Sequence, residues 1–196
     1  MRVLVACEYS GRVREAFRKL GHDAWSCDLL PAEDSSPYHI QGDVLELLDK
    51  DWDLMRAHPP CTYLTNAGAV HLYGGGKFNE ERYVKGLEAK EFFMKLFMAD
   101  IPRIAVENPV PSKVYGLPPY TQIIQPYHHG HPFSKRTCLW LKNLPPIEPT
   151  NLVTNPQSTK VPGNWYNNGG KDRWKERSRT FQGIADAMAQ QWGGAA

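Results

Sequence analysis

Three short stretches and two isolated carboxylates carry side chains able to do chemistry together. The first is His58-Pro59-Pro60-Cys61. Two consecutive prolines lock the backbone, remove two N–H donors and hold the cysteine in one orientation. A thiol on such a loop is a candidate nucleophile, because thiolate is the strongest side-chain attacker near neutral pH. The second is Glu107-Asn108-Pro109. Protonated, Glu107 could donate to a ring nitrogen; ionised, it could accept from an exocyclic amine; without a ligand it could cap the short helix near Ser112. The third is Phe133-Ser134-Lys135-Arg136-Thr137. One of its adjacent cations can reach a phosphate or a carbonyl oxygen of a base, and only one, since neighbours on an extended segment point to opposite faces.

The N-terminal region offers a cofactor site. Glu8-Tyr9-Ser10-Gly11 sits between an apolar run and an amphipathic one, where amides and a glycine allow a nucleotide cofactor to approach. Asp28 suits a ribose diol and Asp43, after Gly42, an adenine amine. A single glycine does not make the dinucleotide fingerprint, which disfavours NAD. Lys171–Arg179 (KDRWKERSR) carries five cations against two acids around Trp174, a composition suited to phosphate contact and base stacking, or to an ordinary charged loop. His128-His129-Gly130-His131 lacks partners at metal-ligand spacing and is read as a solvated turn rather than a metal site. Gly74-Gly75-Gly76-Lys77 lacks the phosphate-loop pattern and reads as the hinge of a lid behind the cysteine.

These residues must be positioned by strands and helices. Arg2–Ala6 reads as a buried strand, and 11–20 as a helix with Val13, Ala16, Phe17 and Leu20 on one face. Strands at 24–27 and 52–57 follow, with a brief helix at 43–48 between them. A long helix at 78–98 turns Tyr83, Leu87, Phe93, Leu96 and Phe97 inward and leads into a strand at 103–107. Further strands are expected at 122–126 and 137–141, loop over 142–179, and a last helix at 182–192 with Ile184, Met188 and Trp192 packed on the sheet. The pattern predicts a doubly wound, mostly parallel α/β sheet, with ligands at the carboxyl ends of its strands.

Composition narrows the class. Apolar residues make up 41% and charged residues 22%, as expected of a water-soluble globular chain. No run approaches membrane-spanning length, and the N-terminus does not read as a signal peptide. Four scattered cysteines point to a reducing cytoplasm. Residues 1–55 hold six Lys/Arg and eleven Asp/Glu, while the remainder holds seventeen and ten. A basic remainder suits a phosphate-bearing substrate, though chance asymmetry on a solvated surface gives the same count.

Asp53–Gly68 (DLMRAHPPCTYLTNAG) resembles, without a gap, the Pro-Cys loop of the C5-cytosine DNA methyltransferases, including Thr65 and Gly68 after the cysteine. Tyr9-Ser10-Gly11, Asp28, Gly42-Asp43, Glu107-Asn108-Pro109 in place of Glu-Asn-Val, and the Lys135-Arg136 pair follow in the family's order. The last helix is weakly similar to the family's C-terminal motif. The resemblance covers most of 1–141 and the last fifteen residues, and is of the small, stand-alone, phage type. It departs from the family in its glycine-poor first loop and in having 142–179 where a large target-recognition region usually stands.

The resemblance implies a Rossmann-like methyltransferase fold with a reduced or absent target-recognition domain. One catalytic domain would span 1–196: a core at 1–141, a loop-rich segment at 142–179 as minimal recognition region, and a packing helix at 180–196. It implies S-adenosylmethionine as cofactor and methylation of cytosine carbon 5 in DNA, probed as a flipped-out base. Cys61, Pro60, Glu107, Asn108 and Lys135 or Arg136 would be the catalytic set. Tyr9, Ser10, Gly11, Asp28, Asp43 and Pro59 would face the cofactor. Thr65, Lys171, Arg173, Trp174, Lys175 and Arg177 would meet nucleic acid. Double-stranded DNA is the expected partner, with a pyrimidine nucleotide, or another group transferred to carbon 5, as alternatives. A non-catalytic DNA-binding protein of the same fold is the reading from a different class. A homodimer and a location in the cytoplasm (of a bacterial host, if phage-encoded) complete the expectations.

Overall fold

Apolar side chains run almost without a break along the interior strands, so each strand buries both faces and the sheet needs helices on both sides. The computed structural model describes residues 1–74, 76–158 and 173–194, except the side chains of 173 and 174. In chain order the elements begin with β1 (Arg2–Ala6), α1 (Arg12–Lys19), β2 (Asp23–Asp28), β3 (His39–Gln41) and β4 (Leu54–Ala57). Next come α2 (Asn66–Ala69), β5 (Tyr73–Gly74), β6 (Lys77–Phe78), α3 (Glu80–Phe97), β7 (Arg103–Pro109) and β8 (Gln122–Ile124). The chain continues with β9 (Phe133–Ser134), β10 (Thr137–Lys142), β11 (Gln157–Ser158), α4 (Arg173–Ser178) and α5 (Gln182–Gly193). The main sheet has seven strands in the order β3-β2-β1-β4-β7-β10-β8. It is parallel from β3 to β7, and β10 runs antiparallel between β7 and β8.

Val3, Val5, Leu54, Ala105 and Leu139 share one face with α1 and α5, whose Phe17, Ile184, Met188 and Trp192 are buried there. Leu4, Met55, Ile104, Val106 and Trp140 fill the other face against Phe93 and Leu96 of α3. Trp140 meets Phe93 edge-on at 4.9 Å between centroids, and its indole N–H donates to the Pro118 carbonyl at 2.8 Å.

Several boundaries move for physical reasons. β7 runs on through Pro109, because antiparallel β10 keeps pairing with Glu107, Asn108 and Pro109 after parallel β4 has ended at Val106. The strand expected to end at Glu107 therefore runs two residues further, with Glu107 in its interior. β3, three partly exposed residues at the sheet edge, has no apolar periodicity to announce it. The strand expected at 52–57 begins at Leu54, and that at 122–126 stops at Ile124, because Pro126 opens a helical turn. Leu20 is 49% exposed, lying past the last turn of α1, and Leu87 is 42% exposed. The inner line of α3 passes instead through Gly86, where a β-carbon would overlap the Tyr115 ring. The 142–179 stretch contains β11 and α4 rather than loop alone. The glycine hinge follows β5 of a small hairpin, and Gly75 lies outside the described residues.

His129 and His131 have structural duties. His131 Nε2 accepts from the Gly183 N–H at the start of α5 at 3.0 Å, and His129, buried, pairs Nδ1 with the Thr150 hydroxyl at 3.1 Å.

Truncating Trp140→Ala removes the largest ring of the α3 face and should cost about 3–5 kcal/mol of unfolding free energy. Urea titration followed by circular dichroism checks this, and a loss below 1 kcal/mol contradicts the packing described.

Candidate active site

Strand register brings the expected chemistry to the carboxyl ends of β1, β4 and β7. The backbone N–H of His58 still donates to the Ala6 carbonyl at 2.9 Å, after which the two prolines turn the chain away from the sheet. Pro59 is buried and Pro60 exposed, and Cys61 follows, partly buried. This loop is fastened to the segment after β7: Asn66 N–H donates to the Val110 carbonyl, and Ser112 N–H to the Leu64 carbonyl. The Cys61 loop and the Glu107 strand are thereby tied together.

Glu107 is gripped rather than free. Arg56 Nη2 donates to Oε2 at 2.5 Å, and His58 Nδ1 lies 3.6 Å from the same oxygen. Burial alone would raise its pKa, but the charges of Arg56 and Lys135 outweigh that and hold the carboxyl below its usual range. Of the two protonation states open from sequence, the structure selects the ionised acceptor. Ser112 supplies its own cap, its hydroxyl accepting from the Val114 N–H at 3.3 Å, so Glu107 is not a helix cap.

Lys135 is the cation turned toward this site. Its charge bears on Cys61, His58 and Glu107, whereas exposed Arg136 bears on Cys138. Asn108, one residue from Glu107, is fully buried and opposes Cys138 across the β7–β10 pair, so it falls on the face away from Glu107. There its amide N–H donates to the Pro109 carbonyl at 2.6 Å, while its Oδ1 is buried with no hydrogen-bond partner among the described residues. Burial pushes the Cys61 thiol up and Glu107 adds to it, while Lys135 and Arg177 pull it down. At rest Cys61 is therefore a thiol.

The cofactor side divides in two. Asp28 and Asp43 converge on the end of β1: burial first, then Asp28, Cys27 and Asp43, push the Cys7 thiol far up. Asp28 is partly exposed, with Oδ1 accepting from the Leu30 N–H at 2.9 Å. Exposed Asp43 caps the turn at 44–47 through the Leu45 N–H at 2.9 Å. The first loop is closed by contrast. Glu8 is buried, and its carboxylate accepts from the Val13 and Arg14 N–H groups at 2.8 and 3.2 Å, filling the helix terminus expected to receive a ligand. Ser10 donates to Glu8 at 3.4 Å. Gly11 takes φ of 70°, and a β-carbon there would overlap the Arg14 guanidinium, which is itself buried and paired with Asp34 and Ser26. Tyr9 is covered by α4, its hydroxyl donating to the Lys175 carbonyl at 2.7 Å.

α4 and the residues after it form a strap across these loops. Arg179 pairs with Glu33, Arg12 donates to the Thr180 carbonyl at 3.0 Å, and Lys135 Nζ donates to the Arg177 carbonyl at 3.0 Å. Lys175 and Arg177 thus lie beside the site. Lys171 and the side chains of Arg173 and Trp174 lie outside the described residues. Thr65 is buried and caps α2, its hydroxyl accepting from the Gly68 N–H at 3.0 Å.

Arg56 and His58 were in plain view in the sequence without a role attached. Alternation gave the signal for Arg56: a charged residue sharing a face with Leu54 in an interior strand has to be paired where it is buried.

Sequence comparison finds no matching family model and no matching curated protein. Solved structures do match in architecture. A protein described as a DNA modification methyltransferase encoded within an E. coli prophage shares 14% identity at a TM-score of 0.50, over 82% of this chain and 53% of that one. A methyltransferase of Entamoeba histolytica, EhMeth, shares 12% at 0.50, over 78% and 57%. The chain has the Rossmann-like methyltransferase fold, and it spans about half the length of these structures. No helix among the described residues is long and apolar enough to cross a membrane.

Two measurements test this electrostatic picture. Alkylation of Cys61 by iodoacetamide, scored against Cys61→Ala, should accelerate only as pH rises beyond 9, and Lys135→Met should move the midpoint higher; a midpoint below 8 contradicts it. Burial holds His58 down at about 3 and His129 at about 4, so both are neutral when folded. The unfolded chain takes up protons near pH 6.5, so stability is fully present above that value and is lost as pH falls toward 4, by at most about 1.4 kcal/mol per unit for each histidine. Melting temperature should drop between pH 7 and 5, and His129→Asn should flatten the curve; an unchanged slope contradicts the assignment.

Proposed function

We propose that the protein methylates cytosine at carbon 5 in DNA, with S-adenosylmethionine as donor. The observation that carries this reading is the placement of Cys61, ionised Glu107 and Lys135 in one electrostatically coupled site at the ends of β4 and β7. The structural neighbours, one of them described as a DNA modification methyltransferase, support transfer to DNA.

In this reading Cys61 Sγ gives its proton to solvent, favoured by the charges of Lys135 and Arg177, and forms a bond to carbon 6 of the base as the carbon 5–carbon 6 double bond opens toward carbon 5. Glu107 accepts from the exocyclic amine, drawing the ring into register. Lys135 Nζ faces the O2 oxygen and takes up charge that the attack pushes there. The electron pair so delivered to carbon 5 is what a methyl donor captures. Loss of the carbon 5 proton to solvent then returns the pair, the S–C6 bond breaks and the Cys61 thiolate is regenerated. A base in a duplex must first leave the stack, at a cost of a few kcal/mol. Asp28 and Asp43 fit a donor carrying a ribose and an adenine, and the cofactor supplies an electrophilic methyl group when bound. The first loop contributes little, because Glu8 fills the α1 terminus and α4 covers Tyr9. That closed first loop is the observation favouring the second reading, a DNA-binding protein without catalysis. The chain is proposed to act as a single catalytic domain whose recognition elements are its short loops and the 142–179 segment.

Tritiated S-adenosylmethionine with cytosine-containing duplex DNA tests the reading, with dCMP as a parallel substrate. Wild type should label the duplex and Cys61→Ala should lose at least about a thousandfold of that rate, as removal of a covalent nucleophile does. Labelling that survives the substitution, or no labelling of either substrate, contradicts it; salt-sensitive DNA binding without donor binding by calorimetry would establish the second reading.

A further inference from the structure

Arg56, like Arg14, is an arginine that the fold buries completely. It is 0% exposed, one residue from the end of an interior strand. In register it stands between Val5 on β1 and Ala105 on β7, and Glu107 is the next residue of β7 on the same face. That diagonal relation is within reach of a long side chain. Each part of the guanidinium has a partner: Nη2 donates to Glu107 Oε2 at 2.5 Å, Nη1 to the Ala57 carbonyl at 2.6 Å, and Nε to Met188 Sδ of α5 at 3.2 Å. His58 Nδ1 stands 3.6 Å from the same Oε2. Oε1 makes no hydrogen bond among the described residues, and the Glu107 side chain is 20% exposed, so its open side is the Oε1 side.

We propose that Arg56 is the positioning residue for Glu107: gripping Oε2 from inside the sheet, it fixes the carboxylate as an acceptor whose other oxygen, Oε1, meets the substrate, and so sets a preference for an amino-bearing pyrimidine over its keto counterpart. The inference rests on the reading of the chain as a cytosine methyltransferase. Its chemistry is a matter of donors and acceptors. At the exocyclic 4-position a carboxylic acid can donate to the uracil O4 as well as accept from an amine, whereas a carboxylate can only accept; it is met there by the N–H of cytosine and opposed by the uracil O4, whose nearest donor is the ring N3–H. The charged and titratable groups facing Glu107 are Arg56 from β4, His58 from the loop after it, and Lys135 from the segment before β10. Glu8, across from Glu107, bears on Arg56 from the β1 side, and Cys61 feels Glu107 directly. Lys135 bears on Glu107 through its charge and donates through Nζ to the Arg177 carbonyl, while the hydrogen bond to Oε2 is donated by Arg56.

The test reads the carboxylate and the preference separately. In protein labelled with carboxyl-13C glutamate, the Glu107 resonance is assigned by its loss in Glu107→Gln and titrated in wild type, Arg56→Lys and Arg56→Met. The midpoint should lie below 4.5 in wild type, rise by about a unit or more in Arg56→Met, and be restored toward wild type by lysine. The ratio of methyl transfer to a cytosine oligonucleotide over its uracil counterpart should fall about tenfold in Arg56→Met and recover in Arg56→Lys, a pattern that simple loss of packing does not produce. Arg56→Gln gives the same two readings should the methionine variant not fold. A folded Arg56→Met or Arg56→Gln with both the midpoint and the ratio unchanged overturns the proposal. A wild type that transfers to neither oligonucleotide, with the Glu107 midpoint still moving in the variants, refutes the cytosine reading and leaves the grip of Arg56 on Glu107 standing.

Discussion

Placing a guanidinium inside a sheet costs several kcal/mol in lost hydration, and the loss must be met by charge and hydrogen bonds at the same spot. Arg56 meets it with Glu107, the Ala57 carbonyl and the sulfur of Met188. The arrangement works in both directions. Glu107, partly buried beside the same strand ends, is kept ionised by Arg56 and Lys135 against a burial effect that would protonate it. Removing either partner leaves the other as an uncompensated buried charge, a defect worth about 3–5 kcal/mol. Strand register, the α5 contact and the state of the acidic group on which the chemistry turns are therefore one problem with one solution.

The front loop solves a similar problem by different means. The amides at the start of α1 are met by Glu8 from the loop itself, and the Arg14 guanidinium fills the space that Gly11 leaves, bound to Ser26 and Asp34. Ser26 pairs on with His39, so β2, β3 and the loop between them share the network. The result is a rigid floor whose open carboxylates are Asp28 and Asp43, with α4 and Arg179 strapped across the side nearer Tyr9. Because Arg56 also feels Glu8, the two halves of the strand-end surface share one electrostatic centre.

What could be read in advance followed from periodicity and from rigid local chemistry. The continuous apolar runs of β1 and β10, the apolar stripe of α5, and the glycine closing α1 all appear where the residues put them. The proline pair announced a fixed loop and the loop is there. Illegible features were those decided across the chain. β3 is too short to carry a period, and the extension of β7 depends on a partner thirty residues later in sequence. The choice between Lys135 and Arg136 was a question of which face an extended segment turns inward. Tyr9 and Thr65 had the right types for ligand contact; the Tyr9 hydroxyl binds the Lys175 carbonyl far along the chain, and the Thr65 hydroxyl caps α2. Arg56 was the most informative residue missed, since a lone charge in an apolar strand already demands a partner.

The central claim is that Cys61 attacks the base while Glu107 holds it. Duplex DNA carrying 5-fluorocytosine tests this directly, because fluorine cannot leave as the carbon 5 proton does and the adduct is trapped. Mass spectrometry of the protein incubated with this DNA and S-adenosylmethionine should show one covalent oligonucleotide, mapped by peptide digestion to Cys61 and absent from Cys61→Ala. A chain that binds both DNA and donor yet forms no adduct, or an adduct on any other residue, would contradict the account.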